Sequence, residues 1–448
     1  MTYVDVAVIG GGFSGCAIAV QLAENAPSNF SLSLFEAGTL GRGAAYGTAH
    51  REHLLNTRAH MMSLVPDDPS HFVDWLGSRG GPSDFVSRAL YGEYVGEAAE
   101  RAFRRPRFTH IREKAALVAR AADGGFTIET SSALRLRARR LVLATGNLPP
   151  NDDFLPIEIR RRAGYVRDPW RFDYRRVAGD VLIIGSGLTA LDVLVALQTA
   201  DHQGRVYVVS RHGRFPQVHD DGAPYDVVPA LDTRSAGSLL RSFRRHVEEA
   251  AARGFDWQAV LDALRPESEV LWRRVPAVEQ RRFERHLRGP WERHRHRAPQ
   301  QVHQVRLAYE NDGRLTTFAG RLGTDGENVA VALRDGSTVS IAPQWIFNCA
   351  GLGRAAEMAR DPFLGALLER GVISSSANRL GLRVTQHLNA VDVAGRVAPD
   401  LWIVGPLVRG SRFEATAVPE IRAMSETAAG QILLTLHDAA EPTLSARQ

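Results

Sequence analysis

The stretch Val6-Ala7-Val8-Ile9-Gly10-Gly11-Gly12-Phe13-Ser14-Gly15 decides the fold of this chain. It begins as an apolar run of β type and continues as the pattern Gly-x-Gly-x-x-Gly. The residues from Cys16 to Glu24 are small or apolar with the spacing of a helix. In a strand, turn and helix of this kind, the three glycines permit a tight turn, the approach of a pyrophosphate and the packing of helix on strand. The stretch therefore predicts a dinucleotide site near the N-terminus.

An acidic residue follows at the distance that such a site requires. After a second apolar run, Ser31 to Phe35, comes Glu36, which lies 21 residues beyond Gly15. A carboxylate at this place can accept hydrogen bonds from the hydroxyl groups of a ribose. Because strand, turn, helix, second strand and acid all occur in this order, we prefer a nucleotide site to an ordinary glycine-rich surface turn.

The same pattern returns in the middle of the chain. Residues 180–184 predict a strand, Gly185-Ser186-Gly187-Leu188-Thr189-Ala190 a turn, and Leu191 to Gln198 a helix. The next strand ends in Ser210-Arg211, where the first pattern has its acid. A carboxylate would repel a 2′-phosphate, whereas serine and arginine can bind one. We expect NADPH rather than NADH at this second site, although an arginine after a strand can also be simply solvated.

Three more strand ends carry small residues. Ala144-Thr145-Gly146 and Ala350-Gly351 each end an apolar run, and such residues let a backbone pass close to a dinucleotide. The last strand ends at Gly405-Pro406, and a helix from about Val418 to Leu434 follows. We predict an α/β chain with two Rossmann-like dinucleotide domains, the second inserted into the first.

The composition is that of an ordinary globular enzyme. The chain has 448 residues, of which 44% are hydrophobic and 23% charged, which suits two to three domains. Lys114 is the only lysine, so the other 54 of the 55 basic residues are arginines, and we interpret the net charge of +5 as a bias in genome base composition. The arginine clusters lack interleaved aromatic residues, so we expect no nucleic-acid partner.

The cysteines and the longest apolar run bear on location. Cys16 and Cys349 lie far apart in apolar stretches, which predicts reduced thiols and a cytoplasmic protein. No dithiol follows Glu36, which argues against a disulfide reductase. The apolar run from Val181 to Ala200 is interrupted by glycines and an aspartate, so we expect no membrane span. The first strand starts at Tyr3, which leaves no room for a signal peptide.

Residues 216–300 predict a helical insertion in the second domain, which could cover a substrate. Ser238 to Ala252 and Val275 to Arg288 have polar and apolar residues at helical spacing. Near the end of the insertion, His294 and His296 point to different sides of a helix and are flanked by arginines. We therefore predict no metal site.

Over essentially its whole length the sequence resembles flavoproteins in which an NAD(P)H domain is inserted into an FAD domain. Several short motifs are similar to those of bacterial FAD/NAD(P)-binding oxidoreductases and related amine N-hydroxylases. These motifs are Gly41-Arg42-Gly43-Ala44-Ala45-Tyr46-Gly47, Leu54-Leu55-Asn56, Tyr91-Gly92, Arg293 to Pro299, Gly405-Pro406 and Glu414 to Pro419. The resemblance implies FAD at residues 1–165 and 352–448 and NADPH at residues 166–351.

The turns and the resemblance together give the residues expected to contact the cofactors. For FAD they are Gly10, Gly12, Phe13, Ser14, Gly15, Glu36, Ala37, Arg42, Gly43, Ala45, Tyr46, Leu55, Asn56, Met62, Leu117, Val118, Ala144, Thr145, Gly146, Gly405, Pro406 and Ala417. For NADPH they are Gly185, Ser186, Gly187, Leu188, Thr189, Ser210, Arg211, Ala350 and Gly351. The N-terminus of the last helix would face the pyrimidine edge of the flavin, where reduced flavin accumulates negative charge.

Two positions depart from the pattern of flavin-dependent monooxygenases. Those enzymes have a phenylalanine and then Gly-x-x-x-His-[Ser/Ala] before the second turn, whereas Arg162, Asp168 and Pro169 replace the phenylalanine, the histidine and the small residue here. The Gly-Asp that commonly ends the last FAD strand is Gly405-Pro406. The carboxylate that would hold the ribityl chain is therefore missing.

We expect a monooxygenase. NADPH would reduce FAD, and molecular oxygen would add to the flavin to give a hydroperoxide that oxygenates a small nucleophilic substrate such as an amine or amino acid. Asn56 is the candidate polar group beside the flavin, Arg58 could receive a substrate carboxylate, and Glu414 could receive an amine. Loop solvation or turn capping are equally compatible with these residue types. A homo-oligomer stays open.

Two other functions use the same nucleotide sites. An NADPH-dependent flavin reductase would pass electrons to a quinone or a partner protein. A flavin-binding scaffold without turnover would need no substrate. Product formation that depends on oxygen separates a monooxygenase from both.

Overall fold

The computed structural model describes residues 2–351, 353 and 355–437, and these form two compact units. Unit 1 comprises residues 2–51, 57–149, 353 and 355–437, and unit 2 comprises residues 52–56 and 150–351. The domain boundaries expected from the sequence lie at 165/166 and 351/352, and as boundaries of cofactor-binding domains they stay a prediction.

Both units contain β-strands and α-helices. In chain order the strands are β1 (Thr2–Ile9), β2 (Leu32–Phe35), β3 (Phe108–Ile111), β4 (Ala115–Arg120), β5 (Phe126–Thr130), β6 (Arg135–Leu143), β7 (Tyr165–Val166), β8 (Val181–Ile184), β9 (Val206–Ser210), β10 (Leu315–Asp325), β11 (Asn328–Leu333), β12 (Thr338–Ile341), β13 (Trp345–Asn348), β14 (Asn389–Val391) and β15 (Val397–Ile403). The helices are α1 (Phe13–Asn25), α2 (Gly43–Tyr46), α3 (His71–Leu76), α4 (Arg88–Ala102), α5 (Ile157–Arg160), α6 (Leu188–Thr199), α7 (Ala236–Ala251), α8 (Trp257–Ala263), α9 (Ser268–Arg274), α10 (Ala277–His286), α11 (Arg288–Arg295), α12 (Gln300–Asn311), α13 (Ala355–Arg360), α14 (Pro362–Glu369) and α15 (Val418–His437). Short 3₁₀ turns cover Ala59–Met61, Gly77–Arg79, Pro169–Arg171, Tyr174–Arg176, Arg265–Glu267 and Pro406–Val408.

The sheet of unit 1 brings four strand ends to one edge. Its strand order is β14-β15-β6-β1-β2-β3, and the β4-β5 hairpin joins it through β6. Strand β1 runs parallel to β2 and β6, so Ile9 pairs with both Phe35 and Leu143. Strand β15 continues the parallel set, with Ile403 beside Leu143. Because parallel strands end at the same edge, the segments after these four residues lie together.

Unit 2 repeats this arrangement around its own sheet, whose order is β12-β11-β10-β9-β8-β13-β7. Strand β8 lies between two parallel neighbours, and Ile184 pairs with Val209 on one side and Asn348 on the other. Strand β10 is parallel to β9 and then turns back as an antiparallel meander with β11 and β12. The α/β fold class with two Rossmann-like units is confirmed.

The central strands are buried because helices cover their faces. All four residues of β2 and of β8 are buried, as a parallel sheet between helices requires. In unit 2 the core also takes residues from α6 and α12, including Val193 and Val302. Among the described residues, no helix has the length and apolar character that a membrane crossing needs.

The structure forms several helices within residues 216–300, the predicted insertion, and the limits of the insertion stay a prediction. Its helices run from Ala236 to Arg295, and a small core of Tyr225, Ala250 and Val260 supports them. Helix α10 covers most of the segment from Val275 to Arg288, and it begins only after Pro276 because the chain is extended at residues 275 and 276. Proline cannot donate a backbone hydrogen bond in a helix interior but is well placed at its start.

Candidate functional site

The first glycine turn of unit 1 can be built only from glycine at two positions. Gly10 has φ +105°, and a Cβ there would lie 2.5 Å from the carbonyl oxygen of Ala144. A Cβ on Gly15 would lie 1.8 Å from the carbonyl oxygen of Gly10. The turn is therefore packed against the end of β6 on one side and the first turn of α1 on the other.

Gly12 has a different role from these two glycines. It precedes α1 with φ −73°, and no side chain caps the helix. A Cβ on Gly12 would meet only the Cα of Gly43, at 3.4 Å. The N–H groups of the first turn of α1 therefore have no side-chain acceptor and can bind an anion, which the helix dipole also favours.

The carboxylate of Glu36 is fixed over the turn by two backbone amides. Gly11 N–H donates to Oε2 at 3.0 Å, and Gly38 N–H donates to Oε1 at 2.8 Å. A carboxylate has about four acceptor positions, so lone pairs remain for two ribose hydroxyls. The sequence analysis missed Gly11 and Gly38. The third consecutive glycine of Gly10-Gly11-Gly12 was the available signal, because a Cβ on Gly11 would lie 2.6 Å from the Cβ of Glu36.

Polar atoms without partners follow strand β6. Within the described residues, Thr145 Oγ1 and Asn147 Oδ1 are buried and form no hydrogen bond. Buried polar atoms are nearly always satisfied in folded proteins, so a polar ligand is the natural partner for this segment. Gly146 between them has φ +77°. These atoms and the glycine cradle fit a bound dinucleotide.

The end of β15 lies at the same edge of the sheet of unit 1 as the glycine turn. Gly405 has φ +86°, and a Cβ there would lie 2.2 Å from Ser14 Oγ on α1. Pro406 then begins a 3₁₀ turn. Ala417 lies immediately before α15. The structure thus brings Gly405 to the first glycine turn, as the sequence analysis expected of this strand end.

Segment 41–47 packs between the glycine turn and α4. Gly41 N–H donates to Gly11 O at 2.8 Å, which holds Gly43 against Gly12. Arg42 donates from Nη1 to Ala89 O at 2.9 Å. The backbone of this segment therefore approaches the turn, while the guanidinium of Arg42 binds helix α4.

Other predicted FAD residues have structural contacts of their own. The ring of Tyr46 lies 4.7 Å from that of Tyr91. The Tyr91 hydroxyl in turn donates to Met62 O at 2.9 Å. Leu117 and Val118 lie in β4, and Arg370 donates to Val118 O at 3.3 Å. Any contact of these residues with FAD stays a prediction.

Unit 2 has a second turn with the same geometry. Gly185 has φ +102°, and a Cβ there would lie 2.3 Å from Cys349 O. Gly187 precedes α6 without a side-chain cap, and a Cβ on it would have no atom within 4 Å. Ala190 is fully buried at the third position of the motif. Gly351 also has a positive φ, +100°, after β13. The N-terminus of α6 is therefore a second place where an anion can bind.

Serine hydroxyls link this turn to the end of β9. Ser186 Oγ lies within hydrogen-bond distance of Ser210 Oγ, at 2.9 Å, and of Arg214 O, at 2.8 Å. Gly213 N–H donates to Ser210 Oγ at 2.9 Å. Ser210 thus shapes the loop, and its neighbour Arg211 is exposed. Within the described residues the guanidinium of Arg211 forms no hydrogen bond or ion pair.

Additional cations surround this loop. Arg334, from the β11-β12 hairpin, donates through Nη2 to Arg211 O at 2.9 Å and to His212 Nδ1. Partial burial and the charges of Arg334, Arg211 and Arg214 lower the pKa of His212. Burial and the charge of Arg214 lower the pKa of Arg293, the first residue of a motif quoted from the sequence. The sequence analysis missed His212 and Arg334, because no local pattern marks them.

The three predicted catalytic residues lie on different segments. Asn56 and its neighbour Leu55 group with unit 2, where Asn56 O accepts from His219 Nε2 at 2.9 Å. Arg58 lies in unit 1, donates to Ser83 O at 2.7 Å and stacks over Phe85 at 4.7 Å. Glu414 is half-buried in the loop before α15. Leu54 packs against the core of unit 2, and the expected contact of Leu55 and Asn56 with FAD stays a prediction.

Both thiols are unreactive by position. Cys16 Sγ donates to Gly11 O at 3.2 Å, and burial raises its pKa to about 12. Burial, with the nearby charge of Asp192, raises the pKa of Cys349 well above its ordinary value. Neither side chain is a thiolate near neutral pH. Within the described residues, no three His, Cys, Asp or Glu side chains are placed to hold a metal ion.

The comparison with family models decides the class of the first site. Residues 7–148 match the model described as FAD-NAD(P)-binding. This part of the chain is an FAD/NAD(P)-binding domain. This domain contains the glycine turn, Glu36 and the end of β6. The match confirms the cofactor class predicted from these residues. A search of curated proteins finds no match to the sequence.

Solved structures with the same fold cover nearly the whole chain. The FAD-bound cadaverine monooxygenase of desferrioxamine biosynthesis from Erwinia amylovora has a TM-score of 0.66 and 12% identity, covering 96% of this chain and 95% of that one. The ornithine hydroxylase from Pseudomonas aeruginosa has a TM-score of 0.65 and 15% identity, covering 97% of this chain and 100% of that one. The bacillithiol disulfide reductase from Staphylococcus aureus has a TM-score of 0.59 and 14% identity, covering 97% of this chain and 99% of that one. At these low identities the similarity concerns the fold alone. The same fold occurs in monooxygenases and in reductases.

Proposed function

We propose that this protein is an FAD- and NADPH-dependent monooxygenase that oxygenates a small nucleophilic substrate, with an amine or amino acid preferred. The observation that carries the proposal is the contrast between its two uncapped glycine turns. The first is followed by a carboxylate fixed for a ribose, and the second by a loop whose guanidinium groups form no ion pair with any described residue. Two different dinucleotides suit these two environments.

Unit 1 would hold FAD. The first turn of α1 would bind the pyrophosphate, Glu36 a ribose, and the buried oxygens of Thr145 and Asn147 further polar groups of the cofactor. Gly12 leaves the space that the cofactor needs, whereas Gly10 leaves the space that the end of β6 occupies. When bound, FAD supplies the hydride acceptance and oxygen chemistry that no side chain can provide.

Unit 2 would hold NADPH. The first turn of α6 would bind the pyrophosphate, and Arg211 would bind the 2′-phosphate. Ser210 avoids the repulsion that a carboxylate would cause and keeps the loop in place through Ser186. Domain limits at 1–165, 166–351 and 352–448 are part of this proposal.

The thiols favour oxygenation over disulfide reduction. Both cysteines are unpaired and buried, and burial raises both pKa values. A disulfide reductase that works through protein thiols needs a thiolate that can attack. Two of the similar structures are by name a cadaverine monooxygenase and an ornithine hydroxylase, which supports an amine or amino acid as the substrate here. Free thiols also suit a cytoplasmic protein.

The residues that would bind the substrate are proposed from the chemistry of their side chains. Glu414, half-buried before α15, would bind the ammonium group of an amine. Arg58, which donates to Ser83 O, would bind a substrate carboxylate through its guanidinium. The side-chain amide of Asn56 would orient polar groups of the substrate, because its described contact uses only the backbone carbonyl.

The test uses the purified flavin-loaded protein. NADPH should bleach the flavin without oxygen, and readmitted oxygen should restore the colour. With a panel of amines and amino acids and ¹⁸O-labelled oxygen, one substrate should gain a single labelled atom. Bleaching without any labelled product, together with reduction of a quinone in the absence of oxygen, would instead show a reductase. Failure of NADPH to bleach the flavin would show a scaffold without turnover.

A further inference from the structure

We propose that His212 and Arg211 together bind the 2′-phosphate of NADPH, and that Arg334 positions both by fixing His212 as an Nε2–H donor. This inference rests on the proposed NADPH site of unit 2. It assigns a specificity role to a hairpin arginine and a histidine outside the glycine motif.

The loop that carries these residues is held rigidly beside the glycine turn. Ser210 Oγ receives hydrogen bonds from Ser186 Oγ and from Gly213 N–H, both at 2.9 Å. Gly213 has φ +60°, and a Cβ on it would lie 3.2 Å from the backbone nitrogen of Ala319 on β10. Residues 211 and 212 therefore project from a loop that is fixed at both ends.

The contact with Arg334 determines which ring nitrogen of His212 carries the proton. A guanidinium has donors only, so His212 Nδ1 must accept the hydrogen bond from Arg334 Nη2. The neutral ring then carries its hydrogen on Nε2. The same Nη2 donates to Arg211 O at 2.9 Å. One side chain thus orients both residues, and His212 is exposed with a donor left for a ligand.

The charges around the loop call for an anion. The charged groups that act on His212 are Arg334 from the hairpin and Arg211 and Arg214 from its own loop, while β10 contributes the uncharged Ala319. Within the described part of the chain, none of these three guanidinium groups forms an ion pair. A phosphate with nearly two negative charges would relieve their repulsion and accept the Nε2–H hydrogen bond.

Calorimetry on the flavin-loaded full chain can test this with two probes. The first, 2′,5′-ADP, carries the 2′-phosphate, and the second, 5′-AMP, lacks it. His212→Asn and Arg334→Ala should each weaken 2′,5′-ADP binding by about 10- to 100-fold, as expected for a lost hydrogen bond to a charged group. Binding of 5′-AMP should not change.

Two control variants separate position from charge. His212→Gln places an amide N–H near the position of Nε2, whereas Asn reaches only that of Nδ1, so Gln should restore most of the affinity for 2′,5′-ADP. Arg321→Ala removes a cation from the exposed side of β10 without touching the loop. It should leave the affinity nearly unchanged, since exposed charges at a distance are screened.

Measuring the affinity for 2′,5′-ADP at several pH values distinguishes the proposed role of Arg334 from a purely structural one. In the wild type, partial burial and the surrounding cations lower the pKa of His212, so its ring stays neutral to a lower pH than that of an ordinary histidine. In Arg334→Ala the pKa should rise towards its ordinary value of about 6.5, and the protonated ring adds a positive charge at low pH. The affinity gap between variant and wild type should therefore narrow as the pH falls.

Three results would overturn the inference. They are equal affinities of His212→Asn and His212→Gln for 2′,5′-ADP, a loss that is the same for 5′-AMP, or an affinity gap that does not depend on pH. If the wild type binds neither 2′,5′-ADP nor NADPH, the proposed function fails as well. If the wild type binds both and the variants are unaffected, only this inference fails.

Discussion

The substitution Gly12→Ala tests whether the space beside Gly12 is needed for binding FAD or for folding of the protein. Gly12 has φ −73°, which alanine adopts freely, and the nearest atom to an added Cβ is 3.4 Å away, an ordinary contact. Gly10 is the opposite case, because it combines φ +105° with a 2.5 Å approach to a carbonyl oxygen. Gly12→Ala should therefore fold, whereas Gly10→Ala should disturb the turn itself.

The expected magnitudes differ between folding and binding. Alanine in place of glycine before a helix costs about 0.5–1 kcal/mol, and such a loss lowers Tm by roughly 1–4 °C in a domain of this size. The added methyl group would stand at the start of α1, where the pyrophosphate has to approach the N–H groups. Losing one such charge-assisted hydrogen bond costs about 1.5–3 kcal/mol, or roughly 10- to 150-fold in the Kd for FAD.

The assay combines flavin content, FAD titration of the apoprotein and thermal melting. Gly187→Ala is the matched control, because it adds a methyl group at the equivalent position before α6, where no protein atom lies within 4 Å of the added Cβ. It should keep its flavin and lose affinity for NADPH. If Gly12→Ala binds FAD as the wild type does and melts normally, no pyrophosphate approaches α1. If its apoprotein melts far below the expected range, the space at Gly12 is already filled by protein, and the reasoning is wrong.

Three further outcomes follow from named groups. Arg211→Ala should raise the KM for NADPH by about 10- to 150-fold with little change for NADH, and steady-state kinetics with both nucleotides would disprove this by equal effects. Because burial raises the pKa of both Cys16 and Cys349, a thiol reagent at pH 8 should label them only after denaturation, and rapid labelling of native protein would contradict their placement. Although burial opposes it, His296 and Arg288 hold the pKa of Glu292 at about 2, below the ordinary 4.5. Its ionised form therefore stabilises the fold above about pH 4.5, and this contribution is lost as the pH falls towards 2. Glu292→Gln should lower Tm at neutral pH and approach the wild type below pH 4.5, and a Tm gap that is constant from pH 7 to pH 3 would refute the depressed pKa.

The short-range features of both sites could be predicted from the sequence. The glycine turn at residues 10–15 and the acid at 36 depend on spacing within one strand-turn-helix-strand unit, which the chain repeats near residue 185. The strand ends at 144–146 and 405–406 were expected beside this turn, and the structure places backbone of both against it. The grouping of residues 52–56 with unit 2 could not be predicted, because their packing depends on a core built from residues far along the chain.

The hydrogen bond between Arg334 and His212 joins residues 122 positions apart. No periodicity or motif indicates it, since it forms only when the hairpin after β10 returns to the end of β9. The same holds for the hydrogen bonds of Gly11 and Gly38 to Glu36, which turn a predicted ribose acceptor into an oriented one.

The sequence by itself determined the fold class and the two nucleotide turns, because steric limits on glycine and the alternation of apolar runs act over a few residues. Tertiary structure alone decided which cations surround the second turn, which polar atoms stay unpaired after β6 and which thiols are inert. Those properties arise from burial and from charges on distant segments, and both exist only after the sheets have assembled.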